Sequence, residues 1–338
     1  KYKNATYAYN EEDVKPYFEL NNVKNGIFAL CDKLYGIKFV ENKEVDGYHP
    51  DVQVYEVREE NGELLGLLYM DFFPRATKRG GAWMTSFRDV YVDKDGKEVR
   101  PLISMCGNFT KPTETTPSLL TFDEFETFLH EFGHALHGIL AQGRYPSLTG
   151  TSVSRDFVEL PSQIMENWAF QPEVLATYAR HYETGEVIPE ELVAKIAAAE
   201  NFNQGFMTTE LAAAAILDLK WHMLPSVEGI DPIAFEAEAC KAMGLIDEII
   251  PRYRTTYFNH IFNSGYSAGY YSYLWAEVLD KDAFEMFKQN GIFDPATATS
   301  FRSNILEKGG SDEPMDLYRR FRGADPDPAA LLRARGLK

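Results

Sequence analysis

Apolar and polar positions divide the chain into an amino-terminal part with strand signals and a longer helical part. In roughly the first hundred residues, apolar runs flank two turn signals, Asn61-Gly62 and Asp95-Gly96, an arrangement typical of β-hairpins. Helical pieces are expected around residues 10–35. This part of the chain is therefore predicted to form helices and a small sheet that contains antiparallel strands.

From about residue 121 the apolar positions recur at the helical period of 3.6 residues. There is no internal repeat or low-complexity tract. The expected fold class is mainly α (α+β), with residues 1–338 as one domain: helices and the sheet in 1–110, then a helical region in 111–338. The predicted helices of that region lie near residues 121–141, 158–184, 189–202, 204–224, 231–243, 266–290 and 295–307.

The composition excludes several classes of protein. Of the 338 residues, 45% are hydrophobic and 25% are charged, as in ordinary globular proteins. The formal net charge of −17 argues against binding to nucleic acid or to an anionic membrane surface, because both depend on lysine and arginine. No apolar run reaches the roughly eighteen residues of a membrane-spanning helix. We therefore expect neither a nucleic-acid partner nor a membrane partner.

Three cysteines, Cys31, Cys106 and Cys240, are far apart in the sequence and form no CxxC pair. We therefore expect small buried thiols rather than a cysteine-based zinc site or a disulfide framework. Unpaired thiols suit a reducing compartment, so the expected location is cytoplasmic. The first residues show no secretory signal pattern, although the sequence begins without methionine.

The strongest chemical signal is the segment TFDEFETFLHEFGHALHGIL, residues 121–140. Thr121 and Glu124 have the spacing of a capping box, and the apolar residues after them recur at the helical period. His130 and His134 are therefore one turn apart on one helix face, where two imidazoles can bind one tetrahedral zinc ion. Glu131 is near the same face, where a general base could take a proton from water at the metal. Together these residues form the HExxH pattern.

Two histidines leave such a site incomplete, and several residues could complete it. His137 shares the face, but three ligands in a row along one helix suit a tetrahedral ion poorly. The segment RDFVELPSQIMENW offers three carboxylates among apolar neighbours, where they are costly unless they are paired or bind a metal. Either Glu159 or Glu166 could ligate while the other orients a histidine. Spacing favours Glu159, whereas Asp156 fits a helix start better.

HEFGHALH followed by GTSVSRDFVELPSQIMENW resembles the M3 family of zinc oligopeptidases, the thimet oligopeptidase group, and within it the bacterial dipeptidyl carboxypeptidases most. The likeness extends from GGAWMTSF to the carboxyl end. It implies a zincin-type helical catalytic domain that binds one zinc ion per chain through His130, His134 and Glu159. By the same likeness Glu131 is the base, and His137 matches a family position that is not a ligand.

The sequence departs from that family in length. Members are usually about twice as long, and their largely helical amino-terminal half forms the other wall of a deep channel. That half is absent from this sequence, so the size filter of the channel is not expected from this chain alone. The missing half is therefore an expected partner.

The stretch RYRTTYFNHIFNSGYSAGYYSYLW is rich in tyrosine. An aromatic core helix is one interpretation. However, Tyr266, Tyr270 and Tyr273 have helical spacing, and hydroxyl donors near a metal could stabilise the oxyanion of peptide hydrolysis. The stretch resembles the family's substrate-binding loop and helix. That resemblance implies that His260, Tyr266 and Tyr273 contact substrate or the oxyanion and that Tyr270 lines the cleft.

The expected function is zinc-dependent hydrolysis of peptide bonds in short peptides, with release of carboxyl-terminal dipeptides. Such an exopeptidase needs a group that binds the terminal carboxylate, and the sequence does not choose among Arg155, Arg252 and Arg254. Internal cleavage of short peptides is one alternative. Another is an inactive peptide-binding fragment with a structural zinc, although such zinc sites are normally closed by a fourth protein ligand.

Overall fold

The amino-terminal part of the chain combines short helices with a small sheet, as predicted. The computed structural model describes residues 2–337. Three helices come first: α1 (Tyr2–Tyr7), α2 (Glu11–Val14) and α3 (Leu20–Tyr35). The strands that follow are β1 (Lys38–Glu41), β2 (Gln53–Arg58), β3 (Leu64–Asp71), β4 (Trp83–Arg88), β5 (Tyr91–Val92), β6 (Glu98–Val99) and β7 (Leu102–Cys106).

Five of these strands form one mixed sheet in the order β1-β2-β3-β7-β4. β3 and β7 pair in parallel, and the other neighbours are antiparallel. The predicted hairpin at Asn61-Gly62 joins β2 to β3, and Gly62 takes the positive φ of 88° that such a turn favours. The signal at Asp95-Gly96 produces only the short ribbon β5–β6. β4 remains at an edge, with one side of its backbone unpaired in the sheet.

The rest of the chain is helical, which confirms the mainly α class. Four 3₁₀ turns (Lys15–Tyr17, Pro146–Leu148, Asn167–Phe170, Thr255–Tyr257) and a π-helical turn (Arg302–Leu306) lie between the regular helices. These helices are α4 (Phe122–Leu140), α5 (Arg155–Val158), α6 (Leu160–Glu166), α7 (Pro172–Tyr178), α8 (Glu190–Ala199), α9 (Gln204–His222), α10 (Pro232–Ala242), α11 (Asn259–Phe262), α12 (Ser272–Asn290), α13 (Pro295–Phe301), α14 (Pro314–Arg322) and α15 (Pro328–Ala334).

Two predicted helices were too long. The segment 158–184 is divided into α6, a 3₁₀ turn and α7, because Pro161 and Pro172 each start a new helix. The segment 266–290 becomes helical only at Ser272, after a turn in which Ala268 has a φ of +54°. Helices α14 and α15, which lie beyond the last predicted helix, were missed.

Helix α4 is the centre of the fold. The predicted capping box is present: the Thr121 hydroxyl accepts the Glu124 amide at 3.0 Å, and the Glu124 carboxylate accepts the Thr121 amide at 2.9 Å. Most of the helix is buried, and the Phe132 ring packs on Phe28 of α3 and on Phe39 of β1. Packing on several sides fixes the one face on which His130 and His134 lie.

The three cysteines are free thiols, with Cys31 and Cys106 buried and Cys240 half-buried. In residues 2–337 no helix is both long and apolar enough to span a bilayer.

Candidate metal centre and active site

The structure brings together the three residues that the sequence suggested as metal ligands. The His130 and His134 rings project from α4 with their centroids 5.0 Å apart. Glu159 comes from the junction of α5 and α6, and its Oε2 lies 3.3 Å from His130 Nε2 and 3.1 Å from His134 Nε2. One ligand atom from each residue lies within 4.8 Å of the others. Among residues 2–337 this is the one such group.

This donor set fits a zinc ion. Ligands about 2.0–2.2 Å from a tetrahedral zinc are separated by roughly 3.3–3.6 Å, close to the two distances in this site. Glu159 is 1% exposed. Burial alone would raise the pKa of Glu159, but the adjacent His134 and His130 hold that pKa well below its usual range. A buried, ionised carboxylate beside two imidazoles is a suitable cation site, and three protein ligands leave a fourth position open for substrate or water.

Backbone packing explains why Glu159 reaches α4. Glu159 precedes Leu160-Pro161, at which the chain breaks from α5 into α6. α6 lies directly against α4 at Gly133, between the two histidines. A Cβ at Gly133 would be 2.2 Å from the Pro161 carbonyl oxygen and 2.6 Å from Ser162 Cα. Only glycine permits this approach.

Glu131 faces the site from inside the fold. Its side chain is 6% exposed, and its Oε2 has no hydrogen-bond partner among residues 2–337. Burial raises the pKa of the Glu131 carboxyl above its usual value. Together with His130 it lines a cavity of about 380 Å³ that is open to the surface. An unpartnered carboxylate at the edge of a cleft is suited to accepting a proton.

Glu166 holds His130 from the side opposite the ligand group. Its Oε1 lies 2.5 Å from His130 Nδ1, so His130 Nδ1–H donates to this carboxylate and Nε2 stays available to a metal. The sequence offered Glu159 and Glu166 as ligand and orienting residue, and the geometry fits that division. The Nδ1 of His134, by contrast, has no partner within the described residues.

We expect Glu166→Gln to lower zinc affinity by roughly 10- to 100-fold. The change removes the carboxylate that orients His130 and makes its Nε2 a better metal ligand. Competition with a chelating indicator measures this affinity. Glu173→Gln, an exposed change on α7, is the control and should have no effect. Unchanged affinity in Glu166→Gln would show that the contact does not orient the histidine.

Two other candidate ligands are not part of the group. His137 is fully buried, and neither ring nitrogen has a hydrogen-bond partner in residues 2–337. Burial, followed by the neighbouring His134, lowers the pKa of His137 to about 3, so it stays neutral in the core. Asp156 lies in the first turn of α5, as predicted, and accepts a 2.9 Å hydrogen bond from Tyr271.

The tyrosine segment also reaches the metal group. The Tyr266 hydroxyl donates to Glu159 Oε1, and the Tyr273 ring stacks on Tyr266 at a centroid distance of 5.2 Å. The His260 ring lies 5.9 Å from Tyr266 and 6.3 Å from Tyr273. Tyr270 is only 3% exposed and packs in a small apolar cluster, so it is a core residue rather than part of the cleft surface.

Asp218 and Arg155 position this segment, a role that the sequence did not suggest for either residue. Asp218, buried in α9, accepts the Ala268 and Tyr270 amides at 2.9 and 2.8 Å. Arg155 places its guanidinium 4.5 Å from the centre of the Tyr266 ring. A Cβ at Gly265 would lie 2.5 Å from that guanidinium. Apart from the glycine, these contacts have no local signal in the sequence, because the partners are far apart along the chain.

The sequence profile of Peptidase family M3 matches residues 1–337. The chain belongs to this family. Among M3 relatives, the dipeptidyl carboxypeptidase of Escherichia coli (strain K12) is 45% identical over 330 residues, which cover 97% of this chain and 48% of the relative. Oligopeptidase A of the same organism is 42% identical over 340 residues, which cover 100% of this chain and 50% of that relative. The chain thus spans about half the length of the curated M3 relatives that it matches.

A comparison with solved structures supports the fold. The M32 carboxypeptidase from Deinococcus radiodurans R1 superposes with a TM-score of 0.58 at 14% sequence identity. The match covers 97% of this chain and 60% of that structure. At this identity the likeness concerns the fold alone, and it agrees with the helical metallopeptidase architecture that the M3 resemblance implied.

Proposed function

We propose that this chain forms the catalytic domain, over residues 1–338, of a zinc-dependent peptidase that hydrolyses short peptides. The observation that carries the proposal is the grouping of His130, His134 and Glu159 beside the unpartnered carboxylate of Glu131. A buried structural metal site would not require such a carboxylate at the edge of an open cavity. Membership of Peptidase family M3 supports the same reaction class.

His130 Nε2, His134 Nε2 and Glu159 Oε2 would hold the zinc. When bound, zinc supplies a Lewis acid that polarises a carbonyl and brings the pKa of water to about 7. Glu131 accepts the proton of the attacking water and then delivers it to the departing amine. Because Glu131 is buried and its Oε2 has no competing hydrogen bond, it is available for both transfers.

Tyrosine hydroxyls would stabilise the negative charge that develops on the carbonyl oxygen. Tyr266 donates to Glu159, and the Tyr273 ring stacks on Tyr266, which supports a role for both phenols at the reacting carbonyl. Burial, and next the charge of Glu159, keeps the pKa of both phenols above the usual value, and both remain donors at neutral pH. The His260 ring lies beside both tyrosine rings and would contact substrate.

Short peptides without fixed structure are the proposed substrates. Their backbone would lie along β4, whose free edge can pair with an extended chain. The relative that is 45% identical to this chain is named dipeptidyl carboxypeptidase, which supports release of carboxyl-terminal dipeptides as the first candidate reaction. The similar match to oligopeptidase A supports internal cleavage as the second candidate.

We further propose that the additional half of these longer relatives corresponds to a partner segment that completes the cleft. Nucleic acid and membranes are not proposed as partners, given the net charge of −17. The free thiols favour a cytoplasmic location.

Mass spectrometry of peptide digests tests the proposed reaction. We expect the zinc-loaded chain to remove two residues from peptides with a free carboxyl end, and a chelator to stop this. Cuts inside peptides that are blocked at both ends would favour internal cleavage over release of carboxyl-terminal dipeptides. Cleavage that persists after complete zinc removal would contradict both.

A further inference from the structure

The turn before helix α12 has an unfavourable backbone conformation. Ala268 has a φ of +54°, in the left-handed region that residues with a Cβ rarely adopt. The turn is closed by the Gly269 amide, which donates to the Tyr266 carbonyl oxygen at 2.8 Å. Tyr266 lies two residues before Ala268, and Tyr273 lies five residues after it. A contact that holds Ala268 in this conformation therefore also fixes the path of the chain between the two tyrosines.

The side chain of Asp218 supplies that contact. It is fully buried in α9 and uses its two oxygens separately. Oδ1 accepts the Ala268 amide at 2.9 Å, and Oδ2 accepts the Tyr270 amide at 2.8 Å. Hydrogen bonds to an ionised acceptor are roughly twice as strong as those between neutral groups. Asparagine has the same shape but only one acceptor oxygen, so its amino group would face one of the two amide donors.

His222 anchors Asp218 from the next turn of α9. The His222 Nδ1 lies 2.8 Å from Asp218 Oδ1 and 2.9 Å from the Asp218 carbonyl oxygen. Both neighbours are acceptors, so Nδ1 carries the hydrogen and donates it. His222 is the one basic residue within ion-pair distance of Asp218 in residues 2–337. The buried carboxylate is thus satisfied by two amides of the turn and one imidazole.

Helix α9 packs directly against the tyrosine segment. Its Ala214 and Ala215 are buried in one apolar cluster with Tyr270, and both Tyr266 and Tyr273 pack against this cluster. Small side chains on α9 let the segment approach the helix closely. The acidic residue one turn further along α9 is therefore held at a fixed distance from the turn that it binds.

We propose that Asp218 is a positioning residue for peptide hydrolysis, because it holds the turn so that the hydroxyls of Tyr266 and Tyr273 stay where the oxyanion develops. The inference rests on the proposed peptidase function. The Tyr273 ring stacks on Tyr266, so a displaced turn would disturb both phenols together. Hydrogen bonds to an oxyanion form in the transition state, and their loss therefore lowers kcat more than it raises KM.

Steady-state kinetics of the zinc-loaded Asp218→Asn chain test this role. We expect kcat to fall by roughly 10- to 100-fold, since a misplacement of about 1 Å can cost this much in rate, while KM changes little. Zinc content should equal that of the parent chain, because Asp218 is outside the metal group. His222→Leu, a change at an exposed residue, removes only the anchoring donor and should lower kcat by a smaller factor.

Asp282→Asn is the matched control. Asp282 is also buried, at 2% exposure, and it accepts hydrogen bonds from Tyr318 and Arg322 on the side of the fold formed by α14. This change should destabilise the chain without altering kcat.

A chain that lacks both hydroxyls, Tyr266→Phe with Tyr273→Phe, shows how Asp218 acts. In that chain Asp218→Asn should lower kcat little further, because the groups through which Asp218 acts are absent. An equal loss in both backgrounds would mean that Asp218 supports the fold instead of the phenols, and would overturn the inference.

An unchanged kcat in folded Asp218→Asn would also overturn the inference alone. If Asp218→Asn does not fold, His222→Leu decides the matter, and an unchanged kcat in that variant would contradict the role of Asp218. A zinc-loaded parent chain that cleaves no peptide would overturn the proposed function and this inference with it.

Discussion

Replacing Glu131 with glutamine is expected to lower kcat by roughly 10²- to 10⁴-fold, the usual contribution of a general acid–base group. Glutamine keeps the size and the hydrogen-bonding ends of the side chain but cannot accept and return a proton. Because Glu131 is not one of the three grouped ligand atoms, zinc affinity should stay close to that of the parent chain. Peptide turnover and zinc content, measured on the same preparation, check the two effects.

Glu159→Gln is the comparison variant for this experiment. That change removes the charge of a grouped ligand atom, so zinc content and turnover should fall together. If Glu131→Gln loses zinc in the same proportion as activity, Glu131 supports metal binding and is not the base. If its turnover is unchanged, another group accepts the proton.

The second large effect is expected from Gly133→Ala. The new methyl group would overlap the Pro161 carbonyl oxygen and the Ser162 backbone and push α6 away from α4. Overpacking of this kind costs about 1–3 kcal/mol of unfolding free energy. Because α6 also fixes Glu159, zinc affinity should fall by roughly tenfold or more. Denaturant unfolding of the metal-free chain and a chelator competition measure the two losses separately.

Gly205→Ala is the matched control for this change. Gly205 lies in helix α9, where a Cβ would meet no atom within 4 Å. Its replacement should stabilise the chain by about 0.4–1 kcal/mol and leave zinc affinity unaltered. Equal effects of the two substitutions would show that close packing of α4 and α6 does not position the ligand.

The parts of the fold that could be predicted from the sequence have local signals. Thr121 and Glu124 mark the start of α4 because a capping box involves residues only three positions apart. The hairpin at Asn61-Gly62 was predictable because two adjacent residues determine such a turn. His130 and His134 belong to the same category, since helical geometry alone places them together.

The remaining features depend on contacts between distant residues. Spacing favoured Glu159 over the other two acidic residues as the third ligand, and the family resemblance selected it. Glu159 reaches α4 because α6 packs closely against Gly133. The spacing of apolar residues along the chain does not reveal this contact. Asp218 accepts hydrogen bonds from the backbone of a turn about fifty residues away in the sequence. Because such a contact leaves no local pattern, the segment 266–271 could not be distinguished from the start of α12 by apolar periodicity.

Helices α14 and α15 had sequence signals that were not used. Each begins with proline directly after an acidic residue, Glu313-Pro314 and Asp327-Pro328, and the Asp327 side chain accepts the Ala329 amide. Proline in the first turn after an acidic N-cap is a recognised start of a helix. The two helices are short, and few apolar positions are available to establish a period in them.

Anomalous X-ray diffraction at the zinc absorption edge tests the central claim most directly. For crystals grown with zinc, we predict one strong anomalous peak per chain, about 2.0–2.2 Å from His130 Nε2, His134 Nε2 and Glu159 Oε2. A peak bound by other residues, or no peak at these three side chains in zinc-saturated crystals, would contradict the account.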